Sequence, residues 1–191
     1  MKEIVQDGAP VLREIASLVP EELFGTPELA QIIEDMKQAL DPELEGVALA
    51  APQIGVSYRI FVVRKDRTLP TDARGSTFGP DSQGRTSIPE TPVYEVYINP
   101  KIIKTSRRRA PMDEGCLSVR GIYGTTRRHE RVTVRARALD GSTFERGAGG
   151  IMAQIFEHET DHLNGVLFID HADRLIHLSH ETAEQEHPEH E

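Results

Sequence analysis

Two histidines four residues apart, in His158-Glu159-Thr160-Asp161-His162, constrain this chain more than any other feature. Helical side chains at that spacing stand one above the other, so both imidazoles can reach a single metal ion. Ile151 and Ile155 extend the same stripe toward the N-terminus. The pattern predicts a helix from about Gly150 to Leu163, left through Asn164-Gly165, with its histidines beside apolar surface. Glu159 lies where a carboxylate can act on a metal-activated water. The plainer reading is a pair of ordinary helix histidines with an acid between them.

Two imidazoles do not complete a site. A catalytic zinc-type centre takes three protein ligands and leaves a fourth position for water. The chain's single cysteine, Cys116 in Glu114-Gly115-Cys116-Leu117-Ser118, would supply a thiolate, unless it is an inert core residue. A lone cysteine also excludes an intrachain disulfide. In a third segment, Gly46 to Gln53, small residues permit close backbone approach to a ligand, and the Gln53 amide could face a developing oxyanion. Taken alone, that segment reads better as a tightly packed turn with a surface glutamine.

A chain of 191 residues with no long apolar run reads as one catalytic domain that neither spans a membrane nor carries a secretory h-region. A cytoplasmic location is the expectation. The formal net charge of −9 argues against a dedicated nucleic-acid binder. The charge is uneven, however. Arginines gather between Arg107 and Arg137, either as a solvated surface or as a basic face for an RNA-rich partner. Acids and histidines crowd the end, where residues 176–191 read as an acidic, disordered tail.

Thr26 should cap a helix over Pro27–Leu40 whose apolar face is Leu29, Ile32, Ile33, Met36 and Leu40, stopped by Asp41-Pro42. A short helix is expected over Pro10–Ala16. Tyr58–Val63 and Val93–Ile103 read as strands, with Pro100 marking an edge or a bend. Val132, Val134, Ala136 and Ala138 alternate with polar residues before an Asp140-Gly141 hairpin turn. Residues 64–92, rich in Gly, Pro, Ser and Thr, read as a loop insertion in a domain spanning 1–175. The order of elements predicts an α+β fold, antiparallel strands wrapped around the C-terminal helix.

With all three segments quoted, the chain closely resembles the peptide deformylase family. That family carries Gly-x-Gly-Leu-Ala-Ala-x-Gln, then Glu-Gly-Cys-Leu-Ser, then His-Glu-x-Asp-His-Leu-x-Gly, matched here at Gly46 to Gln53, Glu114 to Ser118 and His158 to Gly165. Ala48 replaces the usual second glycine and adds a methyl near the substrate channel. The resemblance implies hydrolysis of the N-formyl group from formylmethionyl nascent peptides. It implies Cys116, His158 and His162 as ligands of one divalent metal, Fe²⁺ natively, with Zn²⁺, Ni²⁺ or Co²⁺ also accommodated. Glu159 would be the acid–base group, and Gln53 with the Leu117 backbone N–H would face the oxyanion. Gly46, Ile151 and Ile155 would contact the substrate. Ribosome association would be transient, and the acidic tail stands where some members carry a basic helix. Two rival readings stay open: a zincin-type metallopeptidase with a downstream ligand, and a non-catalytic metal carrier or sensor.

Overall fold

The computed structural model describes residues 2–68 and 91–178. Among them are two α-helices, α1 (Pro27–Leu40) and α2 (Gly150–Leu163). The strands are β1 (Ala48–Ala50), β2 (Ile60–Arg64), β3 (Tyr94–Thr105), β4 (Arg109–Cys116), β5 (Val119–His129), β6 (Arg131–Arg137), β7 (Thr143–Gly149) and β8 (Arg174–His177). They form a five-stranded sheet ordered β1-β2-β3-β6-β7 and a three-stranded sheet ordered β4-β5-β8. Every pairing is antiparallel. α2 touches β1, β3, β6 and β7 of the larger sheet and β5 of the smaller one. The expected α+β architecture, strands around a C-terminal helix, is therefore the one observed.

Local chemistry explains both helices. The Thr26 hydroxyl accepts the Leu29 N–H at 3.3 Å, Pro27 occupies the first turn, and Leu29, Ile33, Met36 and Leu40 are buried. Each such side chain contributes roughly 1.5–3 kcal/mol by leaving water. α2 is seated on the larger sheet by aromatics: Phe61 stacks on Tyr97 with centroids 4.6 Å apart, and Phe156 meets Tyr97 edge-on at 5.3 Å. Val132, Val134 and Ala136 point into the same core. This seating turns the other side of α2 toward β4 and β5.

Several local expectations need correction. Pro10–Ala16 shortens to one 3₁₀ turn, Pro10–Arg13, because the next N–H groups bond elsewhere, with Ala16 donating to the Leu163 carbonyl at 3.0 Å. Pro100 does not mark a sheet edge, since β3 lies between β2 and β6. A register shift between Ile98 and Lys101 absorbs the proline, and Asn99 there takes φ 51°. The Gly46–Gln53 segment is more than a turn: it contains β1 and a 3₁₀ turn over Ala51–Ile54. Structure also continues past residue 175, because β8 runs to His177 along β5. All four β8 residues are exposed, so backbone pairing made the strand without any apolar pattern. Of the expected insertion, Lys65–Thr68 form a 3₁₀ turn, whereas residues 69–90 and 179–191 lie outside the described residues.

Candidate metal centre and active site

β4 ends at Cys116, and its register with β5 shifts between Gly115 and Cys116, so the chain reverses tightly through Leu117 and Ser118. This reversal faces α2. The Cys116 thiol and the imidazole nitrogens of His158 and His162 all lie within 4.8 Å of one another. Cys116 Sγ is 3.2 Å from His162 Nε2, and the two imidazole centroids are 5.0 Å apart. A tetrahedral ion with Zn-type bond lengths would hold such donors roughly 3.5 Å apart, so this donor set fits one divalent cation.

The surroundings prepare the ligands. Glu114 Oε2 lies 3.1 Å from His158 Nδ1, which places the ring proton there and leaves Nε2 free to ligate. Burial opposes ionisation of Glu114, but hydrogen bonds from His158 and Arg128 hold its carboxyl well below the usual range. Arg128 grips that carboxylate through Nε at 2.5 Å and a terminal nitrogen at 3.0 Å, and Thr126 adds its hydroxyl at 2.8 Å. The same guanidinium reaches Asp161 on α2 at 2.7 Å, tying the two walls together. Burial pushes the His162 pKa well down, keeping it the neutral imidazole that a metal requires.

Glu159 is buried, and its Oε2 has no hydrogen-bond partner among the described residues. Burial raises its pKa to about 7. A carboxyl poised near neutrality can both accept and deliver a proton. Gln53, also buried, accepts the Ala50 N–H at 2.9 Å and donates to the Ser118 hydroxyl at 3.1 Å. Its amide nitrogen lies 3.6 Å from the Cys116 sulfur.

These groups face one cleft of about 770 Å³, lined also by Gly46, Ala48, Leu117, Ile151 and Ile155. Gly46 is closely packed, since an added Cβ would come within 2.9 Å of the Leu40 and Leu117 side-chain methyls. Ile155 is buried, whereas Ile151 is half exposed at the cleft mouth. Of the residues singled out for the site in the sequence, all line this cleft except His162, which is buried and joins the site through its 3.2 Å contact with Cys116. Reading the sequence missed the supporting groups. Glu114 sat inside a quoted motif without a role, and Arg128 was counted with the surface arginines although it is buried. Arg67 was also missed. Its guanidinium donates to the carbonyls of Glu43 at 2.6 Å and Gly46 at 2.7 Å, bracing the cleft wall from the start of the expected insertion.

A cysteine sulfur, two imidazoles and a buried carboxyl gathered at one site form the arrangement used by metal-dependent hydrolases with a single ion. The family model described as polypeptide deformylase matches residues 1–177. Peptide deformylase 2 of Bacillus cereus is 36% identical over 186 residues, covering 91% of this chain and 90% of that relative. The peptide deformylase structure from Thermotoga maritima superposes with a TM-score of 0.70 at 32% identity, covering 91% of this chain and 99% of that one. The class I type b peptide deformylase from Acinetobacter baumannii, bound to Met-Ala-Ser, gives a TM-score of 0.71 at 29% identity, covering 89% of this chain and 98% of that one. The chain belongs to the polypeptide deformylase family, and it is a hydrolase acting on the N-formyl group of N-terminal formylmethionine. Membership favours neither a zincin-type peptidase nor a non-catalytic metal carrier.

Proposed function

We propose that this cleft deformylates newly made polypeptides with one divalent cation held by Cys116, His158 and His162. The observation that carries this reading is the unpartnered Glu159 carboxyl, buried beside a three-donor cluster. When bound, the cation would lower the pKa of a water and polarise the formyl oxygen. Glu159 takes the proton from that water and passes it to the departing amine, leaving formate and a free N-terminus. Such transfer contributes typically ~10²–10⁴-fold in rate. The Gln53 amide and the Leu117 backbone N–H stabilise the oxyanion that develops as the formyl carbon becomes tetrahedral, each donor worth ~10²–10³-fold. Gly46 contacts the substrate backbone, and Ile151 with Ile155 receives the methionine side chain.

The thiolate and two imidazoles suit several borderline ions. We assign Fe²⁺ as the native metal, with Zn²⁺, Ni²⁺ or Co²⁺ as alternates. Residues 1–175 act as one catalytic domain, and the residues from Glu181 onward contribute little to folding or to turnover. No helix among the described residues is long and apolar enough to cross a membrane. The substrate places the enzyme in the cytoplasm, in transient contact with ribosomes and with no specific nucleic-acid site. The test is turnover of formyl-Met-Ala-Ser against acetyl-Met-Ala-Ser. The formyl peptide should be hydrolysed and the acetyl peptide left nearly untouched, because an acyl methyl would be crowded by a bound cation and the close approach of backbone that small residues such as Gly46 and Ala48 allow. Comparable rates would overturn the assignment.

A further inference from the structure

The loop over residues 41–46, which carries Gly46 to the cleft, is short and mostly exposed, with Asp41, Pro42, Leu44 and Glu45 all facing solvent. Its own backbone holds it loosely, through the Glu43 N–H on the Leu40 carbonyl at 3.1 Å and the Gly46 N–H on the Glu43 carbonyl at 2.9 Å. Arg67, in the 3₁₀ turn that follows β2, reaches three further points of the same loop. One terminal nitrogen of its guanidinium donates to the carbonyls of Glu43 at 2.6 Å and Gly46 at 2.7 Å, and the other donates to Asp41 at 2.8 Å. The first nitrogen also lies 3.4 Å from the Leu40 carbonyl at the end of α1, where a cation meets the negative end of the helix. A planar fork of donors holds several carbonyls in one mutual arrangement, which the point charge of an ammonium does less well.

The position held in this way matters to the cleft. Gly46 is buried between Leu40 of α1 and Leu117, the neighbour of Cys116, and its backbone forms part of the cleft wall. Arg67 is not among the lining residues itself. The metal donors Cys116, His158 and His162 stand on β4 and α2, which Arg128 ties together through Glu114 and Asp161. The two supports are therefore separate. One guanidinium braces the elements that bear the metal donors, and the other braces the wall against which a peptide lies. A wall that is not fixed beforehand must be ordered when the ligand binds, and that cost is subtracted from affinity.

We infer that Arg67 is a positioning residue for substrate binding: by fixing the loop over residues 41–46 it presents the Gly46 backbone to the peptide and sets affinity, not the rate of bond cleavage. The inference rests on the deformylase reading and on Gly46 as a substrate contact. The experiment compares full-length, metal-loaded wild type, Arg67→Ala and Arg67→Lys. With formyl-Met-Ala-Ser, Arg67→Ala should raise KM roughly tenfold and leave kcat within about threefold of wild type. Affinity for the product Met-Ala-Ser should fall by the same factor. Acetohydroxamate, small enough to reach only the cation, should bind as before, and metal content should stay near one ion per chain. Arg67→Lys should recover part of the loss, and about 20 mM guanidinium chloride, against equal sodium chloride, should lower KM in Arg67→Ala but not in wild type. An unchanged KM in Arg67→Ala would overturn the inference. Parallel losses of kcat, bound metal and acetohydroxamate affinity would do so too, because they mark a general structural role. Should Arg67→Ala fail to fold, the same split of KM from kcat in Arg67→Lys decides. If wild type turns over no formylated peptide, the activity reading fails instead. The affinities of wild type and Arg67→Ala for Met-Ala-Ser then judge the wall independently, and equal values would overturn its dependence on Arg67.

Discussion

The two sides of α2 are held by different physics. Toward the five-stranded sheet, Ala153, Phe156 and Leu163 pack into an apolar core with Phe61, Tyr97 and Val134. Toward β4 and β5, the same helix presents His158, Asp161 and His162 to Cys116, Glu114 and Arg128. Apolar burial is non-directional, and volume-conserving exchanges cost little there. The polar side depends on donors and acceptors in fixed geometry, and removing one partner strands a buried charge on the other. The apolar face therefore sets where α2 sits, while the polar face sets the orientation of the metal-binding side chains.

Three experiments test this contrast, starting with the largest effect. Cys116→Ala should lose most of its bound metal, whereas Glu159→Ala should keep close to one ion per chain. Both should lose at least ~10²-fold in deformylation, the first for lack of metal and the second for lack of a proton carrier. Elemental analysis and turnover of a formyl-Met peptide on the same samples separate the causes. Full activity in metal-loaded Glu159→Ala would remove the acid–base role.

Next in size is the comparison across the helix. Arg128→Ala leaves the Glu114 carboxylate buried without its guanidinium and should cost about 3–5 kcal/mol. On the apolar side of α2, Leu163→Met should cost less than about 1.5 kcal/mol. Chemical denaturation of metal-free protein reads both. Similar losses on the two sides would mean that the ionic network is not what holds β4 and β5 to α2.

The smallest effect follows from Glu159. Its folded pKa, raised from 4.5 to about 7, lies above the unfolded value, so the folded state binds the extra proton between those limits. Its contribution to the stability of metal-free protein is fully present below about pH 4.5 and is lost as pH rises through about 7. Metal-free Glu159→Gln should thus melt a few degrees higher than wild type at pH 8, with the difference closing toward pH 4.5. A pH-independent difference would place its origin outside this ionisation.

How much was legible beforehand depended on the range of the interaction. The Thr26 cap, the apolar face of α1, the alternation along β6 and the four-residue spacing of His158 and His162 all follow from local geometry, 3.6 residues per turn or a period of two. Those readings needed no partner elsewhere in the chain. The resemblance in the three motifs added the Cys116 ligand, but it did not say what steadies the ligands.

Pairing across distance was decided only by the tertiary structure. The register of β4 on β5 places Glu114 opposite Gly124 and lets Thr126 and Arg128 reach its carboxylate. One step of slippage would turn Arg128 to the solvent face, where the run of arginines had placed it. Tyr123 meeting Glu45, and Arg67 meeting the Gly46 carbonyl, likewise join segments that share no local pattern. The amino-acid sequence by itself determined the helices, the strand alternation and the candidate metal donors, because each rests on neighbours within a few residues. The buried charge network and the Arg67 clamp depended on which segments lie side by side, a choice made when the apolar face of α2 is covered and the backbone of β4, β5 and β8 finds its partners.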